Sequence, residues 1–301
     1  MAEDVLETTK RNLEHSTGTF VNDRNETLWY QKYIPEKTDL RGILVFLHGI
    51  LEHSSRYNEL FTLLASEGFA VYTFDIIGHG RSEGDRGYFN HFGDVVDDID
   101  LFLKLAKAQV HETHPRVNKL ILMGLSFGGL LTNLTVLRKT HAIDAIVLCA
   151  PGLNVPRTLV LNVQAYFASI LSEWIPKWEI VPAVQVSDLS AEAEVLAERE
   201  KDPLVYKGLI RARVGNETLL AFNYLDAHKK DIHLPVLIVL GTLEKVVCTY
   251  SINHYHRDIS SVDKELKIFD AMGHSLLSEA NRGAVFSHIV SWLHARFEPI
   301  G

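Results

Sequence analysis

Apolar residues alternate with polar ones over Thr17–Asn22 and again over Leu28–Tyr33, which predicts two half-buried strands opening the fold as an antiparallel pair. The pattern then changes. Gly42–His48 is a continuous apolar run, as expected of a strand covered on both faces, and Phe69–Asp75 reads as the next buried strand. Further strands are predicted at Lys119–Met123, Ala145–Ala150, Val236–Gly241 and Glu265–Phe269. Between them lie stretches of helical spacing. Ser54–Ser66 is one, and Phe92–His111 is another, with Val95, Val96, Ile99, Phe102, Leu103 and Leu105 on one face. Phe127–Arg138 and Arg282–Arg296 complete the set. Strands alternating with helices predict an α/β chain with a mostly parallel, doubly wound central sheet and helices on both faces.

The rhythm stops between Pro151 and about His233. This stretch carries Leu159, Leu161, Tyr166, Phe167, Ile170, Leu171, Trp174, Ile175 and Trp178, then turns acidic and helical through Ser190–Lys201. It reads as a helical cap inserted after the C-terminal end of a strand, where the active sites of such sheets lie. Residues 1–150 and 234–301 would then form the core and 151–233 the cap. Most of the large apolar residues are expected to pack the cap onto the core, with a minority lining an apolar pocket.

Composition narrows the partners. A hydrophobic content of 47 % is ample for a large core, and a net charge of −8 without a basic tract argues against nucleic acid. Cys149 and Cys248 are too few for a disulfide framework. The start, Met1-Ala-Glu-Asp, lacks the basic-then-apolar order of a signal peptide, and no apolar stretch approaches the ~20 residues of a membrane span. The expectation is a soluble cytoplasmic chain, at most peripheral to membranes.

The most informative segment is Gly124-Leu-Ser126-Phe-Gly128, which joins a buried strand to a helix in the order of a nucleophile elbow. A serine on so sharp a turn is strained, and its neighbours two residues away must be small. A serine hydroxyl is a poor nucleophile near neutral pH, so it needs a base, and the base an orienting acid. In this sheet the expected chain order is Ser, acid, His. Of fifteen histidines, His274 alone follows the final strand and precedes the last helix. Glu244, after Val236–Gly241, stands where the acid belongs; Asp270 is better read as a loop cap and Asp226 as a residue of a solvated face. Backbone N–H groups of Phe127 and of Ile50, in the loop after the first buried parallel strand, are the expected oxyanion donors.

Together, His48-Gly-Ile-Leu-Glu52-His53-Ser-Ser-Arg56-Tyr57, Asp75-Ile-Ile-Gly78-His79-Gly80-Arg-Ser82-Glu-Gly84, the elbow, Asp202-Pro-Leu and Gly273-His274 resemble monoacylglycerol lipases and related lysophospholipases. The resemblance runs from about Thr17 to Phe297. It implies an α/β-hydrolase fold whose helical cap covers an acyl channel, no cofactor, and a polar-head region shaped by Glu52 and Arg56. Without it those two residues are an ordinary i,i+4 pair at a helix start. Three departures stand out: Leu125 and Phe127 flank the serine in place of His and Met, Glu244 replaces the usual Asp, and Arg199 and Glu200 occur where a Tyr is usual before Asp202.

Other signals lead nowhere further. The Gly78–Gly84 loop lacks the Lys-Ser/Thr of a phosphate cradle, and Asp75 is expected to hold its turns. Asp94, Asp97, Asp98 and Asp100 read as a solvated helix face, His111, His114, His254 and His256 lack metal-ligand spacing, and Cys248 reads as a buried, inert thiol. The expected reaction is serine hydrolysis of a single-chain lipid ester, monoacylglycerol foremost, with transient contact to a lipid surface. The alternatives are a lysophospholipase, a small-ester carboxylesterase, or a non-catalytic ligand binder.

Overall fold

A computed structural model describes residues 13–36, 39–154, 159–181 and 185–300, with the side chains of 159–166 and 181 outside the description. The segment beginning at Met1, and the side chains of Leu159, Leu161 and Tyr166, therefore lie outside the described residues. The opening pair is β1 (Leu13–Val21) and β2 (Thr27–Pro35), antiparallel from Leu13 opposite Pro35 to Val21 opposite Thr27. There follow β3 (Gly42–Leu47), a 3-10 turn at Ser54–Tyr57, α1 (Asn58–Ser66), β4 (Phe69–Phe74), α2 (Phe92–Thr113), β5 (Leu120–Leu125), α3 (Phe127–Arg138) and β6 (Ala145–Cys149). The insertion supplies α4 (Leu159–Trp174), β7 (Glu179–Val181), α5 (Val186–Leu189), α6 (Ala193–Lys201), β8 (Ile210–Arg211) and α7 (Ala212–His228). The chain closes with β9 (Val236–Gly241), α8 (Thr249–Asp258), β10 (Lys264–Phe269) and α9 (Arg282–His294).

Among the described residues, eight strands form one sheet in the order β1-β2-β4-β3-β5-β6-β9-β10. Only the pairings of β2 are antiparallel; β4, β3, β5, β6, β9 and β10 run parallel. Every residue of β3, β4, β5, β6 and β9 is buried, which is why these strands read as unbroken apolar runs. The edge strand β10 instead carries Lys264, Glu265 and Lys267, charges that discourage pairing with another chain. From β3 the chain moves outward to β4 and returns to β5 on the other side of β3, so the strand order reverses there. The C-terminal ends of β3 and β5 thus flank the crevice where such sheets hold ligands.

Four expectations need correction. Asp98 and Asp100 are buried, not solvated: Asp98 accepts from Asn22 and Arg24 at the β1–β2 turn, and Asp100 faces Arg138 and His141. Burial raises the Asp98 carboxyl to about 6 despite the adjacent guanidinium. Helical spacing gave the right inner stripe of α2 but not the elements covering its flanks. Helix α8 was not anticipated, because its segment buries little more than Ile252 and Tyr255. Cys248 is half-buried, and its N–H donates to Asn154 O at 3.1 Å at the insertion's edge.

The last correction concerns the cap. Phe167, Ile170 and Trp174 lie at i, i+3 and i+7 on α4, and with Trp178 they are exposed, Trp174 to 82 %. Of the six named apolar residues whose side chains are described, these four are therefore largely exposed, and Leu171 and Ile175 are half-buried.

Candidate active site

Local geometry at Ser126 follows from the elbow. Its φ of 53° and ψ of −115° are a strained conformation for a residue with a side chain. Backbone bonds on several sides hold it there: Ser126 N–H donates to Cys149 O at 2.9 Å, and Ser126 O accepts from Gly129 at 2.9 Å and Gly152 at 2.8 Å. The turn brings α3 against the strands so closely that a Cβ on Gly128 would lie 2.0 Å from Leu47 O. One on Gly124 would lie 2.2 Å from Gly128 O. Only glycine fits either position.

The loop after β3 lies beside the serine, since a Cβ on Gly49 would stand 3.5 Å from Ser126 Cβ. Ile50 belongs to this loop. Phe127 is the first residue of α3, so its N–H has no acceptor within the helix, and its ring is stacked on Phe89 at 5.5 Å. Glu52 secures the loop from within. Its Oε1 accepts the Gly49 N–H at 2.6 Å and its Oε2 accepts the Tyr57 hydroxyl at 2.7 Å.

A buried histidine pair underlies the same loop. Ile76 N–H donates to His48 Nε2 at 2.9 Å, which leaves the proton on Nδ1 to donate to Gly49 O at 2.7 Å. His79 Nδ1 lies 2.9 Å from Ile77 O. Burial lowers the pKa of both rings, that of His79 to about 3, so both are neutral near pH 7. Their neutral forms contribute stability that is complete above the ordinary value of 6.5 and drains as pH falls toward about 3. The unfolding free energy should accordingly decline from pH 6.5 downward, by roughly 1.4 kcal/mol per pH unit at most for one histidine, and the melting temperature should fall with it. Thermal melts across pH 6.5 to about 4.5 check this, and His79→Asn, which keeps a donor for Ile77 O, should flatten the decline. An unchanged slope in that variant would overturn the assignment.

Glu244 and His274 meet beyond the ends of β9 and β10, with Nδ1 and Oε2 2.8 Å apart. The Glu244 side chain is fully enclosed and that of His274 is 6 % exposed. The second carboxylate oxygen of Glu244 accepts from Val246 N–H at 2.6 Å and Val247 N–H at 3.1 Å, which fixes its rotamer. The rivals stand elsewhere. Asp270 accepts from Thr242 at 3.2 Å in an exposed loop, and Asp226 is a surface partner of Lys229.

Several residues around the site were not singled out from the sequence. Buried Glu279 holds the histidine loop by accepting the Gly273 N–H at 3.0 Å, and Ser190 of the insertion donates to it at 2.6 Å. Ser275 N–H donates to Leu189 O at 2.8 Å, so the insertion is bonded directly to the His274 loop. On the other side Asp202 binds His53 Nε2 at 2.8 Å and stands 3.6 Å from Arg56, while Arg56 stands 3.6 Å from Glu52. Asp75 holds the glycine loop as expected, accepting from Ser54 N–H and Arg81 N–H at 2.9 Å each. No local pattern in the sequence marks Glu279 as the acceptor of the Gly273 N–H or Ser190 as its donor. Among the described residues no cluster of three or more His, Cys, Asp or Glu is placed to hold a metal ion.

Comparison with known proteins gives a consistent picture. A family model described as serine aminopeptidase, S33, matches residues 38–281. A monoacylglycerol lipase of Mycolicibacterium smegmatis is 27 % identical over 88 % of this chain and 91 % of its own length. The human monoglyceride lipase is 25 % identical over 93 % of this chain and 91 % of its own. The crystal structure of a monoacylglycerol lipase from Paleococcus ferrophilus superposes with a TM-score of 0.77 at 25 % identity, covering 89 % of this chain and 99 % of that one.

Proposed function

We propose that this chain, which belongs to the serine aminopeptidase S33 family, cleaves the carboxylic ester of a single-chain lipid, monoacylglycerol foremost, releasing a fatty acid and glycerol. The observation that carries the reading is the enclosed Glu244–His274 pair at 2.8 Å, on the same sheet edge as the strained Ser126. In this reading Ser126 attacks the ester carbonyl while His274 takes its proton, and Glu244 stabilises the imidazolium. Ile50 and Phe127 N–H groups face the oxyanion of the tetrahedral intermediate. His274 then protonates the leaving alcohol, and a water activated by the same imidazole releases the fatty acid from the acyl-serine.

Residues 151–233 act as a cap in this account. They are tied to the loop after β3 through Asp202 and to the His274 loop through Leu189 and Ser190. The exposed strip of Phe167, Ile170, Trp174 and Trp178 supports brief docking on lipid aggregates, where such substrates reside. Among the described residues no helix is long and apolar enough to cross a membrane. Glu52 has both oxygens committed within the protein, so its part in the polar-head region is to hold the donor loop, leaving Arg56 to face the head.

Activity across glycerol esters of increasing acyl length tests the proposal. Each methylene entering an apolar channel contributes about 0.8 kcal/mol, so kcat/KM should rise about tenfold or more between short and medium chains. A flat or short-chain-favouring profile would sink the lipid reading and favour a small-ester carboxylesterase.

A further inference from the structure

The loop that carries His274 is held by three separate segments. Glu244 holds the imidazole at 2.8 Å, and Met272 O accepts the Leu243 N–H at 2.8 Å beyond the end of β9. The N–H groups on either side of His274 each have another partner. Gly273 N–H donates to Glu279 Oε2 at 3.0 Å and Oε1 at 3.1 Å, and Ser275 N–H donates to Leu189 O of the insertion at 2.8 Å. The insertion also reaches the Glu279 carboxylate. Ser190, just after α5, donates its hydroxyl to Glu279 Oε1 at 2.6 Å, and Glu192 accepts the Ala280 N–H at 2.8 Å. All three parts meet at Gly273, where a Cβ would lie 3.0 Å from Glu279 Oε1, 3.2 Å from Leu189 O and 3.3 Å from Ser190 Cα.

Glu279 and Ser190 are both buried. A buried carboxylate is costly unless donors replace its water. Among the described residues no ion pair offsets this one, and Arg282, three residues on, pairs with Glu59 instead. What Glu279 receives is one donor from the histidine loop and one from the insertion. A charged acceptor strengthens both bonds, and sharing it couples them. Lifting residues 189–192 would take the Ser190 bond from Glu279 and the Leu189 bond from Ser275 together. The peptide groups on both sides of His274 would then loosen.

We infer that Glu279 is a positioning residue for the base: it sets His274 through Gly273, and Ser190 makes that setting depend on residues 189–192 of the insertion being seated. The inference rests on the ester-hydrolase reading above. It adds that the insertion governs the placement of the base as well as covering the site. Glu279 acts through the backbone of the loop rather than on the ester, so its effect belongs to kcat and not KM. A catalytic group displaced by about 1 Å loses on the order of 10²-fold in rate.

The test follows octanoyl glycerol, below the concentration at which it aggregates, on the wild type, Glu279→Ala, Glu279→Gln, Ser190→Ala and the Ser190→Ala/Glu279→Ala double variant. Active sites are counted by end-point fluorophosphonate labelling, and each protein is melted. Glu279→Ala should lower kcat per labelled site about 10- to 100-fold with KM within about twofold. Glu279→Gln should stay within about threefold of wild type, because its amide oxygen accepts the Gly273 N–H while its NH₂ donates to the Ser190 hydroxyl. Ser190→Ala should cost about fivefold in kcat, the scale of one hydrogen bond, and almost nothing further in the Glu279→Ala background. A residue serving stability alone would lower the melting temperature or the labelled fraction and leave kcat per labelled site unchanged. That result overturns the inference, as does an additive double variant or a Gln variant as slow as Ala. If Glu279→Ala does not fold, Ser190→Ala decides: a fivefold loss in kcat supports the inference, and wild-type kcat overturns it. A wild type that neither labels nor turns over the ester overturns the ester-hydrolase reading itself.

Discussion

Ser126→Ala should lower ester turnover by about 10⁵-fold or more and abolish covalent labelling by a fluorophosphonate probe, the size of loss seen when a triad nucleophile is removed. The fold should survive, because alanine keeps the Cβ already accommodated at a φ of 53° and the backbone bonds to Cys149, Gly129 and Gly152 do not involve the hydroxyl. Residual activity above the uncatalysed rate is expected from the proposed backbone donors of Ile50 and Phe127. Labelling and turnover kinetics on wild type and variant, with a melt as control, check the expectation. A variant retaining turnover within tenfold of wild type would remove Ser126 from the chemistry, and a folded wild type that neither labels nor turns over would point to a ligand binder.

Glu244→Gln should cost about 10³- to 10⁴-fold in kcat with little loss of stability. The carboxylate accepts on both sides, from His274 Nδ1–H at 2.8 Å and from the Val246 and Val247 N–H groups. A glutamine cannot serve both directions as the acid does. If its carbonyl oxygen keeps the two valine N–H bonds, its NH₂ faces Nδ1 and forces the imidazole proton onto Nε2. That tautomer cannot accept the serine proton. The effect should fall on kcat more than KM, because the enclosed pair does not contact the alcohol or acyl portions in the proposed mechanism. Steady-state kinetics and a melting curve separate the two possibilities. Activity surviving the substitution would mean that another carboxylate, Asp270 foremost, orients His274, although Asp270 lies in an exposed loop bonded to Thr242.

Much of the fold was legible because a strand buried on both faces has to be apolar at every position. β3, β4, β5, β6 and β9 meet that condition residue by residue. Departures came where burial is decided by a distant partner. Asp98 and Asp100 sit on a helix whose spacing marks them as outward. Arg24 and Asn22 from the β1–β2 turn, and Arg138 with His141 beyond α3, enclose them all the same. Helix α8 escaped notice because a surface helix that buries little leaves little apolar period to read. In the cap the error ran the other way: large apolar residues imply packing, yet Trp174 and its neighbours face outward.

The same division holds for the site. Sequence alone determined the elbow, because strand, Gly-x-Ser-x-Gly and helix are contiguous and the two glycines answer a collision within a few residues. It also determined the order of Ser126, Glu244 and His274, because each follows a recognisable strand. Tertiary structure alone decided how those loops are held. Ser190 reaching Glu279 across 89 residues and Asp202 meeting His53 across 149 are contacts between segments whose separation in sequence carries no trace of their pairing. Local chemistry is written in neighbouring residues, whereas desolvation and pairing depend on which surfaces the folded chain brings into contact.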